Sequence, residues 1–201
     1  MIMTKLSELK KHLKRGTVYR RTDLARWSKS VDRHLEALVA EGTLQKLSHG
    51  MYYFPKLSAF GQTPPDEDKL VRKFLNDDHF LLTSPNVYNS LGLGTTQLYN
   101  VCTVYNFKRH GEFQLGNRKY NFQQKYKFPK KLTEEFLLVD LVNNLKKLAE
   151  DPNEILSNLK NKVSTMDARK LHNAVVQYGS PSAKRIFEPM TAGIQTSVYG
   201  S

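Results

Sequence analysis

The residues best suited to chemistry on a polyanion sit in the first third of the chain. Lys29, Ser30, Arg33 and His34 fall within six positions, with Arg20 and Arg21 before them and Lys46 and His49 after them. Their types suit nucleic acid. A guanidinium pairs bidentately with guanine, which makes Arg33 the candidate base reader. Lys29 and Ser30 stand where a helix begins and suit phosphates, helped by the positive end of the helix dipole. Arg20 and Arg21 are placed to hold a nucleic-acid backbone, and Lys46 and His49 to reach flanking phosphates or the minor groove. The competing interpretation is an ordinary solvated face. His34 taken alone reads as a surface residue rather than a base contact. Asp32 and Glu36 interrupt the positive run, and would act by repelling wrong sequences or by accepting from cytosine.

These residues act together only if short elements position them. Ile2, Leu6, Leu9 and Leu13 recur at helical spacing, and Gly16 is a stop signal. Thr17-Val18-Tyr19 is β-prone. Thr22 is the expected cap of a second helix carrying Leu24, Ala25 and Trp27. After a turn at Ser28-Lys29, Ser30 caps a third helix with the apolar stripe Val31, Leu35, Leu38 and Val39, ended by Gly42. That stripe leaves Lys29, Ser30, Asp32, Arg33, His34 and Glu36 to solvent. Two β-prone runs, Thr43 to Leu47 and Met51 to Pro55, flank Ser48-His49-Gly50 and predict a hairpin. Helix, strand, helix, turn, helix, hairpin is the order of a winged helix-turn-helix, whose second motif helix enters the major groove through its N-terminal part. Such a domain also serves protein–protein contacts.

Gly61-Gln62-Thr63-Pro64-Pro65 reads as a linker. The expected organisation is a winged helix-turn-helix over 1–60, a mixed α/β domain over 66–190 and a flexible tail over 191–201. The second domain should hold a helix from Asp66 to Asn76, with Leu70, Val71, Phe74 and Leu75 inward. A strand at 101–105 and a hairpin at 112–115 and 118–122 make a small antiparallel sheet. Helices follow Thr133, Asp151-Pro152, Ser164 and Ser180-Pro181, the second start marked by an N-cap and Pro at N1. The fold class is α+β with a helical C-terminus. Lys108, Arg109, His110, Arg118, Lys119, Lys125, Lys127, Lys130 and Lys131 interleave with Tyr105, Phe107, Tyr120, Phe122, Tyr126 and Phe128. This pattern fits a core sheet with lysines in water. Its functional alternative is single-stranded nucleic acid held by stacking and charge, or a partner surface, on Lys108, Arg109, Arg118, Lys119, Lys125 and Lys127.

The composition agrees with this emphasis on polyanions. The 201 residues carry a net charge of +12 with a sequence pI near 9.7. Residues 1–62 hold 12 Lys and Arg against five Asp and Glu, a net +7; residues 63–201 hold 19 against 14, a net +5. One cysteine, Cys102, excludes an intramolecular disulfide and any multi-cysteine zinc site, and fits a reducing, cytoplasmic setting. It sits in an apolar run, as inert core rather than nucleophile. No spanning helix or secretory leader is expected. Asp66, Glu67, Asp68 and Lys69 are adjacent at a helix start, not on the neighbouring strands a metal-dependent nuclease needs. Gly92-Leu93-Gly94-Thr95-Thr96 lacks a phosphate-loop lysine. The histidines show no zinc spacing, and Asp77-Asp78-His79 reads as an acidic turn. No catalytic residue, metal ligand or cofactor is expected.

Three stretches together resemble a known family. Arg15-Gly16-Thr17-Val18-Tyr19, the run from Ser30 through Glu41-Gly42 to Leu44, and Gly50-Met51-Tyr52-Tyr53-Phe54-Pro55 are similar to the N-terminal winged helix of AbiEi-type antitoxins. These are regulators of type IV toxin–antitoxin and phage abortive-infection systems. Phe80 to Leu93 and the later order of strands and helices resemble that family more loosely. The resemblance implies repression of the protein's own operon through inverted repeats in promoter DNA. It also implies action against a co-encoded nucleotidyltransferase toxin, without requiring a stable complex. DNA contact carries over to Lys29, Ser30, Arg33, His34 and Lys46; Arg20, Arg21 and His49 rest on charge and position. Two other classes compete: a nucleic-acid-processing enzyme whose winged helix only positions substrate, and a pure toxin-binding module.

Overall fold

The computed structural model describes residues 5–191. Ile2 and the tail beyond Thr191 lie outside the described residues. The architecture is mixed α+β, with small antiparallel sheets and C-terminal helices. The chain forms two compact units, residues 5–80 with Gly111–Tyr120, and Leu81–His110 with residues 121–191.

The first unit opens with α1 (Lys5–Lys11), β1 (Thr17–Arg20), α2 (Arg21–Ala25), α3 (Val31–Ala40), β2 (Gln45–Ser48) and β3 (Met51–Phe54). The β-prone Thr17-Val18-Tyr19 run pairs antiparallel with β3, in register from Thr17 opposite Phe54 to Arg20 opposite Met51. The sheet order is β1-β3-β2, with an irregularity between Lys46 and Ser48. Gly50 closes the hairpin at φ +69°, a conformation that is costly for a side-chain-bearing residue. Leu9, Leu24, Val31, Leu35, Leu38 and Leu44 form the core under this sheet. The start of α2 differs from expectation. Arg20, not Thr22, is the N-cap, and the Asp23 carboxylate accepts from the Arg20 N–H at 3.0 Å.

A two-residue pairing of β4 (Leu57–Ser58) with β5 (Gly61–Gln62) occupies part of the expected linker. Next comes α4 (Glu67–Leu75), capped by Asp66, which accepts from the Lys69 N–H at 3.0 Å. Leu70, Val71, Phe74 and Leu75 face inward, at the spacing their sequence announces. The expected division at 61–65 does not follow the compact units. Arg20 binds the end of α4, and the Phe74 ring meets Phe113 edge-on at 5.1 Å, so α4 and the Gly111–Tyr120 segment join the N-terminal elements.

A four-stranded sheet combines β6 (Phe80–Thr83), β7 (Cys102–Asn106), β8 (Gly111–Leu115) and β9 (Arg118–Gln124) in the order β6-β7-β9-β8. The second unit is mainly α5 (Glu134–Asn144), α6 (Pro152–Ser164), α7 (Ala168–Tyr178) and α8 (Pro181–Thr191). Thr133, Asp151 and Asp167 cap the first three, each through a side-chain oxygen accepting a backbone N–H. Helix α5 is buried continuously from Phe136 to Val142 and packs on α7 and α8.

Candidate functional site

Burial of Val31, Leu35 and Leu38 sets the orientation of α3 and turns Asp32, Arg33 and Glu36 to solvent. Ser30 occupies the N-cap position; its carbonyl accepts from the His34 N–H at 3.1 Å, and its hydroxyl makes no capping bond. Lys29 and Ser30 are exposed ahead of the helix, while Lys46 and His49 are exposed on and at the turn of the β2–β3 hairpin. Among the described residues, the side chains of Lys29, Arg33, Lys46 and His49 have no ion-pair partner.

Three of the expected contacts are placed differently. His34 is buried, with Nδ1 2.8 Å from the Ser28 hydroxyl. It shares the spacing of Val31, Leu35 and Leu38, so the helical period that buries them buries it too. Arg20 is half-buried and committed to α4: Nε donates to the Lys73 carbonyl at 2.7 Å and Nη2 to the Phe74 carbonyl at 2.8 Å. Arg21 is exposed but paired. Its Nε and Nη2 donate to the two Asp32 carboxylate oxygens at 2.6 Å each, and its N–H donates to the Gly50 carbonyl at 2.8 Å. The Arg21 hydrogen bonds hold the Asp32 carboxyl below its ordinary range. Both Asp32 oxygens thereby accept from Arg21. Behind the pair, burial and then the Asp32 charge push the half-buried Tyr52 phenol up.

The second basic cluster is spread over both units. In the first unit, Arg118 pairs with Glu67, and Lys119 is exposed. In the second, Lys125 is half-buried. Its Nζ donates to Asp140 Oδ1 at 3.0 Å and lies 3.5 Å from the Tyr105 ring centre. The backbone N–H groups of Lys108 and Arg109 donate to Asn106 Oδ1, and Lys127 is exposed. Tyr105, Tyr120 and Phe122 are core residues, and Phe107 packs on Phe128 at 4.9 Å. Interior packing of one strand face accounts for most of the alternation. Arg118 and Lys125 are spent within the protein.

A polar centre in the second unit escaped the sequence reading. Asp140, fully buried on α5, accepts from the hydroxyls of Tyr88 and Tyr105 at 2.7 Å each, besides Lys125. Asn144 Nδ2 donates to the Asp140 carbonyl at 2.9 Å. Burial and the Asp140 charge push both phenols well above their ordinary value. The available signal was an acid inside the apolar run Phe136-Leu137-Leu138-Val139-Asp140-Leu141-Val142. Every oxygen has an internal donor, so the arrangement suits anchoring β7 and the Pro85–Leu91 turn to α5 rather than chemistry. Among the described residues no group of three or more His, Cys, Asp and Glu could hold a metal ion. Burial pushes the Cys102 thiol up to about 11, far from a reactive thiolate. No described helix is long and apolar enough to cross a membrane.

Fold and surface together define a class: a mixed α+β protein whose first unit joins a three-helix core to a three-stranded sheet, with Lys29, Arg33 and Lys46 exposed and, among the described residues, without an ion-pair partner. Within that class, the chain belongs to the Family of unknown function (DUF6088), whose model matches residues 5–173. Its fold is similar to the crystal structure of the RV2827C protein from Mycobacterium tuberculosis. The TM-score is 0.58 at 14% identity, over 93% of this chain and 74% of that one, a likeness of fold alone. No curated protein matches the sequence.

Proposed function

We propose that α1 through β3 form a winged helix-turn-helix that binds double-stranded DNA, and that the chain is a transcriptional regulator. The observation that carries this reading is the set Lys29, Arg33, Lys46 and His49. All four are exposed on α3, its approach or the β2–β3 hairpin, and among the described residues none is neutralised by an acid. In this reading the N-terminal part of α3 enters the major groove and Arg33 contacts a base edge. Lys29 and Ser30 hold phosphates at the helix start, and Lys46 and His49 touch the flanking backbone. The antitoxin role rests on the sequence resemblance: repression of the protein's own operon through promoter inverted repeats, and opposition to a co-encoded nucleotidyltransferase toxin in the cytoplasm. No catalytic step, metal or cofactor enters it.

Selection from a random duplex pool, followed by anisotropy titrations across salt, tests the DNA-binding reading. An enriched motif and an affinity falling steeply with salt are expected. No enriched motif together with a flat salt response removes the reading. Promoter-reporter repression and growth rescue against an adjacent nucleotidyltransferase gene test the antitoxin role. Repression without rescue leaves a DNA-binding regulator and removes the antitoxin.

A further inference from the structure

We infer that Arg21, held by Asp32, reads a guanine in the major groove and is a specificity-determining residue alongside Arg33. The inference rests on the proposed DNA-binding role of α3 and names a contact within it. Arg21 is the first residue of α2, and Asp32 the second residue of α3. Their two bonds of 2.6 Å use the Nε–Nη2 edge of the guanidinium. A guanidinium carries five N–H donors in one plane. Pairing along that edge leaves the other edge, formed by Nη1 and the second Nη2 hydrogen, with two parallel donors. Two parallel donors match guanine O6 and N7. Among the described residues the Nη1 atom has no partner, and the side chains of Arg21 and Asp32 remain 46% and 64% exposed.

Orientation and charge both favour a base over a phosphate. A free arginine loses rotamer entropy when it engages a base. Here the carboxylate fixes the plane of the fork, and the Arg21 N–H on the Gly50 carbonyl fixes its root. The same carboxylate cancels the net charge and places a negative group beside any approaching phosphate, which makes Arg21 a poor backbone clamp. What remains is directional hydrogen bonding. Asp32 acts as a positioning residue, touching the arginine rather than the DNA.

The test compares duplex-selection profiles of the wild type with Arg21→Lys and Asp32→Asn, each checked by circular dichroism melting. Arg21→Lys keeps the charge and loses the fork. It should lose a preference of about 10- to 100-fold at one G·C pair while other positions keep theirs. Asp32→Asn should relax the same position while tightening binding to random DNA, because a negative charge is removed. An unchanged Arg21→Lys profile overturns the inference while the DNA-binding reading stands. A uniform loss of affinity across all sequences marks a phosphate clamp and overturns it as well. Relaxation by Asp32→Asn at a different position, or at none, removes the positioning role. A wild-type protein that enriches no motif takes down the underlying reading and this contact with it.

Discussion

Arg20 donates from Nη2 to the carbonyl of Phe74 at 2.8 Å, so a side chain at the end of β1 closes the last turn of α4. Its Nε takes the neighbouring Lys73 carbonyl at 2.7 Å. The last carbonyls of a helix have no partner within it, and a cation there also complements the helix dipole. Asp23 links the two elements a second time, accepting from the Arg20 N–H and pairing with Lys73 Nζ at 2.8 Å. An arginine that looked suited to a DNA backbone is instead part of the scaffold.

Arg20→Ala is therefore expected to cost about 1–3 kcal/mol of folding stability, from two charge-assisted bonds in a half-buried setting. Urea denaturation measures it. Duplex affinity, read well below the melting temperature, should stay within about twofold on a role confined to the scaffold. A variant with wild-type stability and weakened DNA binding would return Arg20 to the interface.

His34→Ala removes a buried ring and leaves the Ser28 hydroxyl without its partner. A loss of roughly 2–3 kcal/mol is expected from cavity and hydrogen bond together. Because the ring faces inward, the folded variant should select the same DNA motif as the wild type. A changed motif with unchanged stability would show that the imidazole reaches the nucleic acid.

In the proposed DNA-binding reading, Arg33 and Lys46 are expected to separate base reading from charge. Arg33→Ala is expected to weaken specific binding by about 1–3 kcal/mol and to relax one base position. Lys46→Ala should weaken specific and random duplexes about equally and lower the salt slope by about one. Both side chains are exposed and, among the described residues, without ion pairs, so neither change should move the melting temperature. Equal binding of Arg33→Ala and wild type to the selected motif would remove α3 as the reader.

Alkaline pH should unfold the protein through Tyr88 and Tyr105. Both phenols are raised in the folded state, chiefly by burial and then by Asp140. An unfolded tyrosine ionises near 10, so above that pH the unfolded chain binds fewer protons than the native one. Stability contributed by the two neutral phenols is complete below about pH 10 and declines above it. The slope for two such groups is about 2.7 kcal/mol per pH unit. Urea titrations between pH 9 and 11 read the slope. The Tyr88→Phe/Tyr105→Phe double variant should flatten it; an equally steep decline in that variant would assign the effect to other groups.

The elements were largely legible because their signals are local. The 3.6-residue spacing of Leu70, Val71, Phe74 and Leu75, the Asp151-Pro152 start and the runs around His49-Gly50 specify a helix face, a helix beginning and a hairpin over a few residues each. Where a local rule admitted two answers, the reading missed. Thr22 is the better cap by type, yet Arg20 occupies the N-cap position. His34 has the polarity of a surface residue but the spacing of the core, and spacing prevailed because α3 has a single inward face.

The sequence alone determined where basic charge is concentrated, which runs become helices and strands, and that Val31, Leu35 and Leu38 form the apolar face of α3. Only the tertiary structure decided which basic side chains find partners within the protein. Arg20 meets Phe74 across 54 positions, Arg118 meets Glu67 across 51, and Arg21 meets Asp32 across 11. No periodicity records such pairings, because each depends on two elements arriving at one place with their side chains aimed at each other. Hydrophobic burial supplies the periodic pattern and shows in one segment at a time, whereas an ion pair or a borrowed helix cap exists only after the segments have packed.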